Sequence, residues 1–140
     1  MSESFIQVAM GDAPEEGLCE EGRVDLRIIS KEVKDTKAGD RKLLAVMMAV
    51  EGVPDVSPIM EHLTFPNAKD WETDEQLAKN FLRRVKRFCA AFGITWQADG
   101  FDVSQLNGAT AEDILVKIEV GKDDGVERNK AIFPRIEAGQ

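Results

Sequence analysis

The chain contains no tyrosine, one histidine and two cysteines. Because His62, Cys19 and Cys89 are few and far apart in the sequence, a His/Cys metal centre is not expected. There is no GxSxG motif, Cys/His pair, P-loop or dinucleotide fingerprint, and these are the patterns that would indicate nucleophilic catalysis or nucleotide binding. The sequence therefore predicts a protein that is not an enzyme and that uses no metal and no cofactor.

Long apolar runs are also missing. No run approaches the roughly 20 apolar residues that a membrane span needs. The N-terminal residues lack both the basic start and the apolar centre of a signal peptide. Together with the few cysteines, these absences predict a reduced, cytoplasmic setting without membrane association. A length of 140 residues fits one domain with its own core.

Lysine and arginine are missing from the first 22 residues, which contain six acidic residues. The whole chain carries a formal charge of −8, so residues 23–140 account for only −2. A phosphate-binding face is therefore compatible with the acidic total, since such contacts act within a Debye length of about 8–10 Å. We expect an acidic, loosely ordered arm (1–21), a folded domain (22–136) and a short C-terminal tail (137–140).

Alternating apolar residues and turn residues predict five strands and one helix. A strand beginning at Arg23 alternates apolar and polar residues, which is the pattern of a half-buried strand. The pair Thr73 and Gln76 is a capping-box signature for the start of a helix, and Gly93 is a natural residue to end it. The predicted strands are 23–30, 42–50, 59–65, 113–121 and 127–134, and the helix between the third and the fourth runs over 73–92.

Three strands, a helix and two further strands define the predicted fold class, which is mainly β. Short strands with one amphipathic helix favour a small closed barrel, because closure hides the strand edges. The five-stranded OB-fold barrel has this order, with its helix between strands 3 and 4. An open α+β sheet with the helix across one face is the alternative, and periodicity does not separate the two.

The predicted helix has an apolar side and a basic side. At 100° per residue its apolar residues fall on one broad stripe, which we expect to face the core. The basic side has two interpretations, a solvated face or a phosphate-binding face, and the lack of interleaved acids is unusual for the first. The stripe consists of Leu77, Phe81, Leu82, Val85, Phe88, Cys89 and Phe92; the basic side consists of Lys79, Arg83, Lys86 and Arg87, with Arg84 at its border.

A protein that binds single strands without sequence preference needs a basic track and a few exposed rings. Both kinds of residue occur around the predicted sheet, although each ring could equally pack in the core or over the end of a barrel. The candidate nucleic-acid-binding residues are Arg27 on the first strand; Lys34, Lys37, Arg41 and Lys42 on the first hairpin; His62, Phe65 and Trp71 on or just after the third strand; and Arg128 and Lys130 on the last strand.

Six segments between about Gly17 and Pro134 carry a family resemblance in their order and spacing. They read EEGRVDLRI, KEVKDTKAGDRKLLAVMMAVEG, IMEHLTFPN, FCAAFGI, DILVKIEVG and NKAIFP. No segment is diagnostic alone. In their order and spacing, the chain resembles a phage-encoded family, formerly catalogued as a domain of unknown function, of OB-fold single-stranded DNA-binding proteins.

The resemblance implies sequence-tolerant binding of single-stranded DNA in phage replication or recombination, inside an infected bacterial cell. It implies that the cations of the first hairpin and the last strand contact phosphates. The helix of an OB fold usually closes one end of the barrel, so the basic helix side becomes a secondary face. Expected partners are single-stranded DNA and phage replication or recombination proteins, with the protein a monomer or a homodimer.

Two other functions remain open from the residues. The net charge and the Glu-rich arm are compatible with an acidic protein–protein adaptor, or with an inhibitor that mimics nucleic acid. A small metal-dependent nuclease could use Glu32, Lys34 and Asp55. These residues stand in the reverse of the order expected for a nuclease core, which disfavours that alternative.

Overall fold

Five antiparallel strands form one sheet in the computed structural model, which describes residues 4–12 and 15–136. The protein is therefore mainly β, as the sequence predicts. The predicted tail 137–140 and parts of the predicted arm, 1–3 and 13–14, lie outside the described residues. The strands are β1 (Gly22–Asp35), β2 (Lys42–Val50), β3 (Ile59–Thr64), β4 (Thr110–Val120) and β5 (Glu127–Ile132), in the spatial order β3-β2-β1-β4-β5.

The long strand β1 pairs with two neighbours over different parts of its length. Its first half pairs with β4 and its second half with β2, and Arg27 has a partner on both sides. The register shifts after Val24 and again after Ile28. Such bulges bend a strand and increase its twist. β1 ends at Asp35, later than predicted, because the polar residues after Ser30 continue the ladder with apolar β2.

Strands β3 and β5 form the two edges of the sheet. The side chains of His62 on β3 and Lys130 on β5 line one groove of about 650 Å³. Among the described residues, no ladder of hydrogen bonds joins the two strands. The edges therefore share a groove, and the sheet is not closed.

Two helices, α1 (Ala68–Thr73) and α2 (Glu75–Ala91), follow β3, where the sequence predicts one. Asn67 caps α1: its side chain accepts from the Asp70 N–H, and the Asp70 carboxylate accepts from the Asn67 N–H. This capping box was not recognised in the sequence. The predicted start of the long helix at Thr73 was wrong by one residue, since Asp74 is its N-cap.

The end of α2 confirms the predicted role of Gly93. This glycine has φ +68°, the left-handed conformation that favours glycine after a helix. Its N–H donates to the Ala90 carbonyl, and Ile94 N–H donates to the Cys89 carbonyl at 2.8 Å. In the part of the chain that the structure describes, neither helix is long and apolar enough to span a membrane.

The C-terminal part of the apolar stripe of α2 packs into the core, as predicted, whereas Leu77, Phe81 and Leu82 in its first part are only half-buried. Val85, Phe88, Cys89 and Phe92 are buried with residues from both halves of the sheet. Phe133, beyond β5, packs edge-on against Phe88 with ring centroids 5.5 Å apart. The helix therefore connects the sheet to the segment that follows its last strand.

The part of the predicted arm nearest the sheet is hydrogen-bonded to it. Gly17 forms a bridge with Val56, just before β3. The Asn129 side chain accepts from the Cys19 N–H at 2.8 Å and donates to the Cys19 carbonyl at 2.9 Å. This segment therefore crosses one end of the groove between β3 and β5.

Candidate nucleic-acid interface

The end of the β1–β2 hairpin carries positive charge without a carboxylate partner. Lys34 lies on β1 opposite Leu43, and Lys37 lies in the turn. Both side chains are exposed, and neither forms an ion pair with any described residue. A free ammonium group on a projecting hairpin can contact a phosphate without first breaking an ion pair.

Four other predicted cations have carboxylate partners. All four pairs are exposed to solvent, where an ion pair contributes at most about 1 kcal/mol. A phosphate can therefore displace these carboxylates at low cost. The pairs are Arg27–Glu51 (2.5 Å), Lys42–Asp35 (2.6 Å), Lys130–Glu119 (3.5 Å) and Arg128–Asp124.

Arg41, the remaining predicted hairpin cation, is held in a two-point contact with Asp70. Arg41 Nε donates to Asp70 Oδ2 at 2.8 Å, and Nη2 donates to Oδ1 at 2.7 Å. Asp70 is buried, and it also accepts the Asn67 N–H at 3.0 Å. The hydrogen bonds from Arg41 lower the pKa of Asp70 from 3.8 to about 2 and raise the pKa of Arg41. Arg41 therefore anchors the hairpin, unlike Lys34 and Lys37.

Two further contacts strengthen this junction, one to the N-cap of α1 and one to α2. The Asn67 side-chain amide donates to the Asp40 carbonyl at 2.9 Å. The Arg41 guanidinium carbon lies 5.6 Å from the centroid of the Phe81 ring, within the range of a cation–π contact. The hairpin is therefore fixed next to the helical segment that carries Trp71.

The outward face of β1, β2 and β3 carries few rings. Lys34 and Thr64 both pair with Leu43, so the three share one row of this face. The next row contains Glu32, Ala45 and His62, and His62 is exposed as predicted from its outward position. Base stacking on this face would depend on His62 alone, and Glu32 adds a negative charge.

Two exposed tryptophans and two half-buried phenylalanines lie instead in a groove beside α1 and α2, which we call the aromatic groove. It has a volume of about 570 Å³. Trp71 and Trp96 line it with their residues 43% and 40% exposed. Phe65 and Phe101 also line it, with ring centroids 6.4 Å apart. The structure therefore brings the predicted Phe65 and Trp71 together, but away from the row of His62.

Trp96 and Phe101 were missed by sequence reasoning. They flank a tight turn in which Gln97 and Gly100 bond to each other in both directions, at 2.8 and 3.3 Å. The Gln105 side chain further fixes this loop by accepting from the Thr95 N–H and donating to the Thr95 carbonyl, both at 3.0 Å. The only signal for this site was aromatic residues in a turn-rich segment.

The predicted secondary basic face lies on α2 with mixed surroundings. Lys79 pairs with Glu75 at 3.4 Å, and Arg83 donates to Asn80 Oδ1 at 2.9 Å. Lys86 is exposed and lines the aromatic groove, whereas Arg87 is half-buried at the opposite groove next to β5. These four cations therefore do not form one uniform patch.

Arg84, at the border of that face, binds a buried carboxylate. Arg84 Nη2 donates to Glu61 Oε1 at 2.6 Å, and Glu61 is 5% exposed on the inward side of β3. Burial raises the pKa of Glu61, and the charge of Arg84 opposes this effect. The pair joins α2 to the edge strand β3.

The two cysteines contribute nothing to the candidate site, and a metal site is not found among the described residues either. Cys19 and Cys89 are buried and unpaired, and burial raises the pKa of Cys89 to about 11. Over 4–12 and 15–136, no group of three or more His, Cys, Asp or Glu side chains is placed to hold a metal ion.

Neither protein-family models nor curated proteins gave a match to this chain.

Proposed function

We propose that the protein binds single-stranded DNA without sequence preference and without catalysis, on an OB-type barrel. The strand order supports this fold: an OB barrel opened between its third and fifth strands has the order β3-β2-β1-β4-β5. The shared groove between β3 and β5 and the bulged β1 are also expected of a barrel. The family resemblance extends the proposal to phage replication or recombination.

The observation that carries the proposal is the junction between hairpin and helix. The two contacts Arg41–Asp70 and Asn67–Asp40 hold a hairpin with free lysines against the segment that carries Trp71. Unpaired cations beside an exposed ring are what single-strand binding requires, since cations contact the backbone and rings stack on bases. In OB folds the loops between strands 1 and 2 and between strands 4 and 5 flank the binding face. These loops correspond here to the hairpin and to the turn before Arg128 and Lys130.

The proposed roles follow from these contacts. Lys34 and Lys37 bind phosphates directly, and Lys42, Arg27, Arg128 and Lys130 do so after exchanging their carboxylate partners. Arg41 holds the hairpin in place. Binding to duplex DNA is expected to be weaker, because only a single strand exposes its bases to rings.

The test compares two double charge reversals. The variant Lys34→Glu/Lys37→Glu removes the free hairpin cations, and the matched control Lys79→Glu/Arg83→Glu makes the same charge change on the exposed side of α2. Affinity for a fluorescent oligo-dT strand is measured by anisotropy, with thermal melting to verify folding. We expect the hairpin variant to bind at least tenfold more weakly, because it loses two phosphate contacts, and the control to change by less than threefold. Each lost phosphate contact should also lower the salt dependence of binding.

A larger loss of affinity in the α2 variant than in the hairpin variant would show that the strand binds to α2 and not to the hairpin. Failure of the unmodified protein to bind oligo-dT at all would reject single-strand binding. The adaptor alternative would then be favoured. It predicts that a DNA-handling enzyme binds the full-length protein but does not bind a variant without residues 1–21.

A further inference from the structure

The two tryptophans of the chain lie far apart in sequence and line the same groove. Trp71 belongs to α1 and Trp96 to the loop after α2, and no other tryptophan exists in the protein. Each residue keeps about two fifths of its surface exposed. Two half-exposed indoles at one groove are an unusual feature for a small domain.

We propose that the aromatic groove is the site where unstacked bases of the bound strand insert, with Trp71 and Trp96 as its stacking surfaces. This inference rests on the proposed single-strand binding and adds where the bases go. The outward face of the sheet offers only His62 as a flat ring, so it cannot supply comparable stacking. The groove offers four rings, one cation, Lys86, and one carboxylate, Asp99.

The position of the groove connects it to the phosphate-binding hairpin. The Phe65 N–H donates to the Lys42 carbonyl at 2.9 Å, so one wall of the groove begins where β2 begins. On another side, Trp71 directly follows Asp70, the anchor of Arg41. A strand whose phosphates contact the hairpin can place its next bases in the groove.

Two charged residues, Lys86 and Asp99, line the groove, and Lys86 can serve a nucleic-acid strand. Lys86 forms no ion pair within the described residues, and it lies on the groove side of α2. Its ammonium group is available to a phosphate that flanks an inserted base. Aromatic rings bordered by a free cation are the combination found where single strands bind.

Hydrogen bonds hold the loop that carries Trp96 in one conformation. The Gln97–Gly100 turn and the Gln105 side chain fix the loop on both sides of the indole. A ring that is already oriented loses little freedom when a base stacks on it, which favours binding.

The test exploits the fact that all tryptophan emission comes from this groove. The protein is titrated with labelled oligo-dT and with an abasic strand of equal length, and anisotropy and tryptophan emission are recorded together. We expect oligo-dT to quench the emission strongly. The abasic strand should bind about a hundredfold more weakly, because stacking on both tryptophans is lost, and should leave the emission unchanged.

Variants separate stacking from folding. Trp71→Ala and Trp96→Ala should each weaken oligo-dT binding about tenfold and leave abasic-strand binding unchanged, whereas Trp71→Phe and Trp96→Phe, which keep a ring, should lose less than threefold. Oligo-dT binding by anisotropy without any change in emission or any effect of these variants would overturn the groove as base site while single-strand binding itself stands. Equal quenching by the abasic strand would overturn it as well. Failure of both strands to bind would remove the proposed function and this inference together.

Discussion

Arg41 and Asp70 form the contact that unites the two parts of the candidate interface. The guanidinium of Arg41 makes two hydrogen bonds to the Asp70 carboxylate, at 2.8 and 2.7 Å. Asp70 also completes the capping box of α1 through Asn67. One carboxylate therefore stabilises the first turn of a helix and fixes the hairpin against it, and the relative position of hairpin lysines and Trp71 depends on it.

The acid stability of the protein should report this contact. Because the pKa of Asp70 is lowered from 3.8 to about 2, the native state binds a proton less readily than the unfolded state. Its stabilising contribution is therefore complete above pH 3.8 and is lost as the pH falls through about 2. We expect urea unfolding between pH 2 and 7 to show a stability difference between wild type and Asp70→Asn that is largest near neutrality and shrinks below pH 3.8. A constant difference across this range would contradict the assignment.

Arg41 should contribute to DNA binding through the geometry of its contact with Asp70 as well as through its charge. Lysine keeps the positive charge but cannot reproduce the two-point contact with a carboxylate. We expect Arg41→Lys to weaken oligo-dT binding several-fold at unchanged net charge, while Lys42→Arg, a matched exchange next to it, has little effect. Proteolysis within 36–40 should also accelerate in Arg41→Lys. Wild-type affinity in Arg41→Lys would show that the hairpin does not need this anchor.

The buried Glu61 should give the opposite pH dependence from Asp70. Because burial raises its pKa, the native state holds the proton more strongly, and stability is lost as the pH rises and Glu61 ionises. Glu61→Gln keeps an oxygen that can accept from Arg84 but never acquires the charge. We expect this variant to gain stability relative to wild type as the pH rises from 4 to 7, measured by thermal melting. A relative loss over the same range would mean that Arg84, and not burial, dominates.

The ring cluster under α2 should dominate the stability of the fold. Phe88 is fully buried and contacts the rings of Phe92 and Phe133. Removing such a side chain costs about 3–5 kcal/mol through lost burial and the cavity left behind. We expect Phe88→Ala to lower the free energy of unfolding by this amount in urea titrations, and Phe133→Ala, which removes a half-buried ring, to cost less. Equal costs would place the centre of the core elsewhere.

The strands were predicted well because apolar runs and alternation can be recognised from neighbouring residues alone. The apolar run of β2 and the alternation that places His62 outward and Leu63 inward on β3 follow from periodicity alone. The capping box of α1 was missed because the Thr73–Gln76 pair offers a competing signature a few residues later. The end of β1 was placed too early because the residues after Ser30 are polar, and only pairing with β2 keeps them extended.

The candidate site was less predictable, since it depends on contacts between distant residues. Sequence reasoning selected Arg41 for its charge, but its engagement by Asp70 requires a helix that the sequence did not reveal. Trp96 lies 25 residues from Trp71 in the chain, and only the packing of the loop against α1 and α2 brings them to one groove. Lys34 and Lys37 could be selected as candidates from the sequence because a hairpin tip is a local feature.

The salt dependence of oligo-dT binding tests the central claim most directly. Each phosphate neutralised on a single strand contributes about −0.7 to the slope of log K against log salt concentration. Contacts from the six proposed phosphate-binding cations predict a slope of about −4 for wild type and about −3 for Lys34→Glu/Lys37→Glu, with weaker binding of duplex DNA at every salt concentration. A slope near zero, or equal affinity for single strand and duplex, would contradict single-strand binding by these cations.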